Sequence, residues 1–282
     1  MQLWFSEMHT PDVKLDIKLK KHLYSGQSDF QRIDIYDTYE FGRMLMLDGY
    51  TMLTEKDEFV YHDMLTHVPM AINPNIKKVL VIGAGDGGIV RELVRYSTIE
   101  RIDMVEIDKM VVDACRAHLP LTACSLDNPR VNLFYEDGLR FVRQKTDEYD
   151  LIVVDSTDPL GPGEGLFTKE FYGNCYNALT VDGIMVNQMG GTVYEGDIAG
   201  MQRSFKRIKS TFEIATAYQA HVSTYPGGFW LLGYGSKAKP PFEQLDADAW
   251  NKLGIETKYY NTDLHKASFV MPNHVRKLLS NA

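Results

Sequence analysis

The chain has 282 residues, enough for one large domain or a medium domain with a small companion. It is 44% hydrophobic and 24% charged, and no apolar run approaches the length of a membrane span. The formal net charge of −8 argues against a nucleic-acid or anionic-membrane partner and suits a cationic ligand. Cys115, Cys124 and Cys175 form no C-x-x-C pair, so neither a disulfide framework nor a zinc site is expected. The start, "MQLWFSEMHTPDVKLD", shows no basic stretch followed by an apolar run. A signal peptide is therefore not expected, and a reducing cytoplasm is the expected compartment.

Residues 1–55 read as a small β domain. "VKLDIKLKK" and "FQRIDIYD" alternate apolar and polar residues, as half-buried strands do. "GRMLMLDGYTML" places Asp48-Gly49 between two apolar runs, a hairpin signal. Thr54-x-x-Asp57 then predicts the start of a helix through "EFVYHDMLTHV". The domain boundary is placed here, with residues 56–282 forming a catalytic domain and a tail from about 238.

From Lys77 strands alternate with helices. "KKVLVIGAG", "RIDMVEID", "RVNLFYED", "YDLIVVD" and "DGIMVNQ" are strands; "GIVRELVRY", "KMVVDACRAHL", "GLRFVRQK" and "KEFYGNCYNAL" are helices. Near-continuous apolar strands joined by helices predict a parallel sheet covered on both faces, an α/β, Rossmann-like, doubly wound fold. "FEIATAYQAHV" and "GFWLLGYGS" can close the sheet as an antiparallel pair. The tail after Pro240 carries no clear pattern.

Ligands of such a sheet bind at the carboxyl ends of its strands. Gly83, Gly85 and Gly88 fit G-x-G-x-x-G after the first strand, a pattern that lets backbone approach a ligand closely. Glu106 follows Gly88 by eighteen residues, where an acid commonly accepts hydrogen bonds from a ribose diol. Asp137 and Gly138 follow the third strand, and Asp155 follows the fourth. Thus Asp86, Glu106, Asp137 and Asp155 put an acid after each of the first four strands. Like charges gathered at one sheet edge repel, so the rim calls for a cation, a hydroxyl-rich ligand or a metal. Asp86 stands inside the glycine loop, where it opposes a pyrophosphate or a carboxylate and favours an ammonium group.

The stretches "LDGYTMLTEKDEFVYHDMLTHVP", "KKVLVIGAGDGGIVREL", "VEID", "EDG", "DSTDPLGPGEGLF", "YPGGFW" and "YYNTDLHKASFVMP" together resemble the polyamine aminopropyltransferases, most closely the bacterial spermidine synthases. They span nearly the whole chain in the family's order. The resemblance implies a class I methyltransferase-type catalytic domain behind the N-terminal β domain, with decarboxylated S-adenosylmethionine as a co-substrate and no separate cofactor. It implies a diamine acceptor, usually putrescine, with spermidine and 5′-methylthioadenosine as products. By the same resemblance Gln31, His62, Gly83, Gly85, Asp86, Glu106, Asp137, Gly138 and Pro162 hold the donor or methylthioadenosine. Trp4, Tyr61, His62, Asp86, Asp155, Asp158, Gln188 and Tyr225 face the amine, and Asp155 accepts its proton. No metal is implied.

The chemistry of the residues fits that assignment. An alkyl ammonium, with a pKa of about 10, has no lone pair until a base takes its proton. Asp155, ordinarily a weak base, becomes a better one if burial beside other acids raises its pKa. Tyr61 and Tyr225 can orient the nitrogen. Pro159, Gly161, Pro162, Gly163 and Gly165 describe a loop with restricted segments and hinges over the site. Competing readings are a methyltransferase, which Asp86 opposes, a nicotinamide dehydrogenase, which leaves Asp137 and "DSTD" unexplained, and a polyamine-binding protein. His221 and His265 read as structural, Tyr259 and Tyr260 as packing residues of the tail, and Met44, Met46 and Met52 as core or subunit-contact residues. A homodimer or homotetramer through the N-terminal domain is expected. Putrescine, cadaverine, agmatine and spermidine all stay open as acceptors.

Overall fold

The computed structural model describes residues 2–156 and 165–282. Two sheets carry the fold. The first is a five-stranded antiparallel sheet of β1 (Leu3–Thr10), β2 (Val13–Gln27), β3 (Arg32–Thr38), β4 (Arg43–Leu47) and β5 (Tyr50–Thr54), in sequential order. The alternation in β2 places Ile17 and Leu19 inward, between more exposed lysines. The β4–β5 turn has φ of 50° at Asp48 and 85° at Gly49, the left-handed pair that a two-residue hairpin needs.

Helix α1 (Glu58–Ile72) connects this sheet to the second. It starts three residues later than Thr54 suggested. Asp57 is the N-terminal cap residue, and the Thr54 hydroxyl donates to Asp57 Oδ1 at 2.5 Å. The other Asp57 oxygen faces across the fold, where it accepts from Ser223 Oγ, Thr224 N and Thr224 Oγ1 at 2.7, 3.0 and 2.8 Å. Nearly every residue of α1 is buried, because it packs between both sheets.

The second sheet is built from β6 (Lys78–Gly83), β7 (Arg101–Val105), β8 (Val131–Phe134), β9 (Tyr149–Asp155), β10 (Leu179–Gly191), β11 (Ile214–His221) and β12 (Phe229–Ser236). Its order is β11-β12-β10-β9-β6-β7-β8, parallel from β10 to β8 and antiparallel at β12 and β11. The crossovers contain α2 (Gly88–Leu93), α3 (Lys109–His118), α4 (Pro120–Ala123), α5 (Gly138–Arg143), α6 (Lys169–Ala178) and α7 (Glu195–Lys209). One face of the sheet shares a continuous core with α1 and the inner side of the N-terminal sheet, joining Ile33, Ile35 and Leu53 to Val79, Val81 and Val153. The other face packs Ile82, Val105 and Val154 against Phe141, Phe171 and Phe205. Met44 and Met46 are core residues of a third cluster behind the N-terminal sheet.

The tail forms α8 (Ala247–Lys252), α9 (Thr262–Ser268) and α10 (Asn273–Ser280). It is anchored by one carboxylate. Asp63 Oδ2, on α1, accepts from the backbone N–H of Lys258, Tyr259 and Tyr260 at 3.1, 2.8 and 3.2 Å. Behind it Trp250 and Tyr260 pack against His67. No helix among the described residues is long and apolar enough to cross a membrane.

Candidate active site

The chain runs outward from β6 through β7 to β8, then returns to place β9 on the other side of β6. That reversal is the topological switch point, where the loops after β6 and β9 diverge and leave a crevice. Gly83 pairs with Asp155 across it. With φ of 85°, and with its Cβ position occupied by the Asp155 carbonyl, residue 83 must be glycine. The Ala84 N–H donates to that carbonyl at 3.0 Å, tying the glycine loop to the end of β9.

A cavity of about 450 Å³ opens at this point, roofed by the N-terminal sheet. Asp86, Glu106, Asp137 and Asp155 all line it, so the acids after the first four parallel strands do converge. Gln31, Gly83, Gly85, Gly138, Tyr61, His62, Gln188 and Tyr225 line it as well.

On the nucleoside side, Glu106 Oε1 accepts from Asp108 N at 2.9 Å. Burial first, and then the Asp108 and Asp155 charges, push its carboxyl up to about 7. Gln31 Nε2 donates to Asp108 Oδ2 at 3.1 Å, so the N-terminal sheet reaches the end of β7 directly. Asp137 caps α5, accepting from Leu139 N at 2.8 Å. At Gly138 a side chain would strike Ile82. At Gly85 it would crowd Val111 and Glu106.

On the opposite side Tyr61 OH donates to Asp155 Oδ1 at 2.6 Å. Burial and the neighbouring Asp86 charge raise the Asp155 carboxyl to about 6, against the opposing pull of His62 and Tyr61. Asp86 is likewise raised by burial, although His62 and the Gly88 N–H, which donates to its Oδ1 at 2.8 Å, work against the rise. One side-chain nitrogen or oxygen each of His62, Asp86 and Asp155 lies within 4.8 Å of the others. Tyr225 stands edge-on to Tyr61 and Trp230, and its hydroxyl donates to the Met52 carbonyl at 2.7 Å. Gln188 Nε2 donates to the Ser156 carbonyl at 3.2 Å. It sits at a bulge within β10, which continues to Gly191.

Trp4 stands apart from the other expected site residues in this chain. It pairs with Lys18 in the β1–β2 ladder, is 51% exposed and does not line the cavity. From the same strand Glu7, Met8 and His9 do. Glu7 is buried and accepts from the Thr51 N–H at 3.1 Å. Asp158 and Pro162 lie outside the described residues. Sequence reasoning missed Glu7, Glu58, Arg91 and Asp57. Glu58 and Asp57 stand one turn before Tyr61 and His62 on a buried helix, which was the available signal.

A Rossmann-type sheet with an acid-lined crevice at its switch point defines a small-molecule-binding α/β protein. The comparisons with known proteins take this further. The profile of the spermine/spermidine synthase domain matches residues 58–245, and that of the spermidine synthase tetramerisation domain matches residues 3–55. A polyamine aminopropyltransferase of Alkaliphilus oremlandii (strain OhILAs) is 62% identical over 279 residues, covering 99% of this chain and 98% of the relative. One from Clostridium perfringens (strain 13 / Type A) is 62% identical over 281 residues, covering 100% and 99%. A spermidine synthase crystallised with the transition-state analogue AdoDATO superposes with a TM-score of 0.96 at 42% identity, covering 99% of this chain and 96% of that one. The spermidine synthase of Thermotoga maritima gives 0.93 at 41%, covering 99% and 94%. The chain belongs to the spermine/spermidine synthase family. It is a transferase, and its reaction is aminopropyl transfer in polyamine biosynthesis.

Proposed function

We propose that the enzyme transfers the aminopropyl group of decarboxylated S-adenosylmethionine to putrescine, giving spermidine and 5′-methylthioadenosine. The observation that carries the reading is the half-buried Asp155 carboxylate, held by the Tyr61 hydroxyl beside Asp86 at the switch point. The amine arrives as an ammonium ion and gives one proton to Asp155. Its freed lone pair attacks the aminopropyl carbon bound to sulfur. The C–N bond forms as the C–S bond breaks, and the bonding pair leaves on sulfur as a neutral thioether. No oxyanion develops, so holding the reacting atoms in line supplies much of the rate. A carboxyl raised to about 6 is a better proton acceptor than an ordinary aspartate, yet still ionised at neutral pH.

Gln31, Glu106, Asp137 and Gly138 hold the nucleoside in this reading, with Pro162 touching methylthioadenosine. His62 and Asp86 face the aminopropyl end of the donor. Tyr61, Gln188, Tyr225 and Asp158 line the amine slot. Asp86 supports a decarboxylated donor, since a carboxylate there would meet a buried acid of like charge. The enzyme assembles as a homo-oligomer through residues 3–55, a reading supported by the tetramerisation profile matched there. The test is an assay with decarboxylated S-adenosylmethionine and, separately, putrescine, cadaverine, agmatine and spermidine, following methylthioadenosine by chromatography. Release with putrescine alone supports the proposal; release only with another amine rejects the acceptor. Release with none from folded protein rejects the reaction.

A further inference from the structure

His62 makes a contact at each ring nitrogen, and both contacts are to carboxylates. Nδ1 meets Glu58 Oε2 one turn back on α1, and Nε2 faces Asp86 Oδ1 at 3.4 Å. A neutral imidazole has a single N–H, so one of its lone pairs would point at an anionic oxygen. The cation, with an N–H at each nitrogen, satisfies both carboxylates at once. The ring packs directly over Gly88 and fills the space where a side chain on residue 88 would stand. Glu58 is itself fixed from behind. Arg91, on α2, donates Nη1 to Oε1 at 3.0 Å and Nη2 to Oε2 at 2.9 Å, a bidentate grip. The chain Arg91–Glu58–His62–Asp86 therefore alternates in charge from the α2 surface to the cavity. The groups around the ring are Glu58 and Tyr61 of α1, Asp86 of the glycine loop, Arg91 of α2 and, beyond Asp86, Asp155 of β9.

We propose that Glu58, backed by Arg91, is a positioning residue that holds His62 in one orientation as a resident cation, so that Asp86 meets the donor already paired and Asp155 is left to take the amine's proton. The inference rests on the reading of Asp86 and Asp155 given above. It assigns a role to two groups that touch neither reacting atom. Burial works against charge on His62, but the Asp86 and Glu58 carboxylates outweigh it and lift the imidazole to about 9. Glu58 carries the same relation from the other side, since burial would raise it while His62 and Arg91 hold it at about 2.

The test reads the ring itself. In ¹⁵N-histidine NMR of the unliganded enzyme, both nitrogens of His62 should stay protonated through about pH 8. Glu58→Gln removes the anionic partner and should bring the His62 titration down to roughly pH 6–8. The same variant should raise the donor KM about tenfold, the loss of one charge-assisted contact, with a smaller change in kcat. In a double-mutant cycle, Glu58→Gln should then add little to His62→Gln, because it acts through that ring. A wild-type His62 with one ring proton at pH 7 would overturn the proposal, and needs no variant. So would an unchanged titration in Glu58→Gln, or additive losses in the cycle. Absence of turnover by the wild-type enzyme with all four amines would instead count against the proposed reaction, because ring protonation is read without substrate.

Discussion

Replacing Asp86 with asparagine should move the acid limb of the pH–rate profile to lower pH. In the wild-type enzyme that limb reflects the Asp155 carboxyl, raised from 3.8 to about 6 by burial and by Asp86. Nearest oxygens of the two carboxylates lie within 4.8 Å. Two charges that far apart repel by about 3.5 kcal/mol at an effective dielectric of about 20. At 1.36 kcal/mol per pKa unit this corresponds to about 2.5 pH units before compensation by other charges. The nearby His62 cation cancels part of it, and burial of Asp155, the larger cause, is untouched by the substitution. A downward move of about one pH unit is therefore expected. The assay is methylthioadenosine release with the donor saturating, so that Glu106, whose free carboxyl is raised to about 7, is already engaged, and with the amine held below saturation. Because the two acids interact, the limb belongs to the pair, and the comparison is between whole profiles. A limb that stays near pH 6 in Asp86→Asn would refute the claim that Asp86 sets the basicity of Asp155. A wild-type limb near pH 4 would refute the raised carboxyl itself.

Other substitutions test separate parts of the same site. Asp155→Asn should lower kcat by at least about a hundredfold, the usual contribution of a positioned base. Its affinity for methylthioadenosine by calorimetry should stay within a few-fold, and near wild-type turnover would end the assignment. Gly88→Ala should displace the His62 ring and weaken the enzyme at least tenfold in kcat/KM, because the added methyl falls within the imidazole. A crystal structure with the ring unmoved would contradict this. Asp63→Ala leaves the N–H groups of Lys258, Tyr259 and Tyr260 without their acceptor and should cost about 2–3 kcal/mol. Hydrogen exchange at those three amides should accelerate well before exchange in β6. For stability against acid, Glu58 has a folded-state carboxyl depressed from 4.5 to about 2. Its stabilisation, on the order of 3 kcal/mol, is present above pH 4.5 and lost as pH falls toward 2. Thermal melts between about pH 6 and pH 3 should therefore decline less steeply in Glu58→Gln.

What the sequence by itself determined is local or periodic. The five parallel strands were legible because each is a short apolar run bounded by turn residues, and the first four are each followed by an acid at the same edge. The Asp48-Gly49 hairpin was legible because two successive positive φ values restrict the residue types. The acid rim followed from topology alone, since parallel strands present their carboxyl ends together. The tail was not legible: α8 to α10 are short and owe their placement to Asp63, nearly two hundred residues earlier in the chain. The start of α1 was misplaced for a related reason. Thr54 and Asp57 do bond, but Asp57 also answers to Ser223 and Thr224, and no spacing rule reaches that far.

Only the tertiary structure decided which polar side chains face the cavity. Trp4 and Glu7 stand an odd number of residues apart on one strand and so point to opposite faces, but only the closed fold decides that Glu7's face is the buried one, under the Thr51 N–H. Glu58 and Arg91 lie on different helices, and packing of α1 against α2 makes them a pair. The same packing turns His62 from a helix histidine into a cation between two acids. Strand period, turn chemistry and strand-end composition are written along the chain, within a few residues of one another. Protonation state and side-chain direction depend on burial and on charges brought together from distant segments, and these exist only once the two sheets have closed on α1.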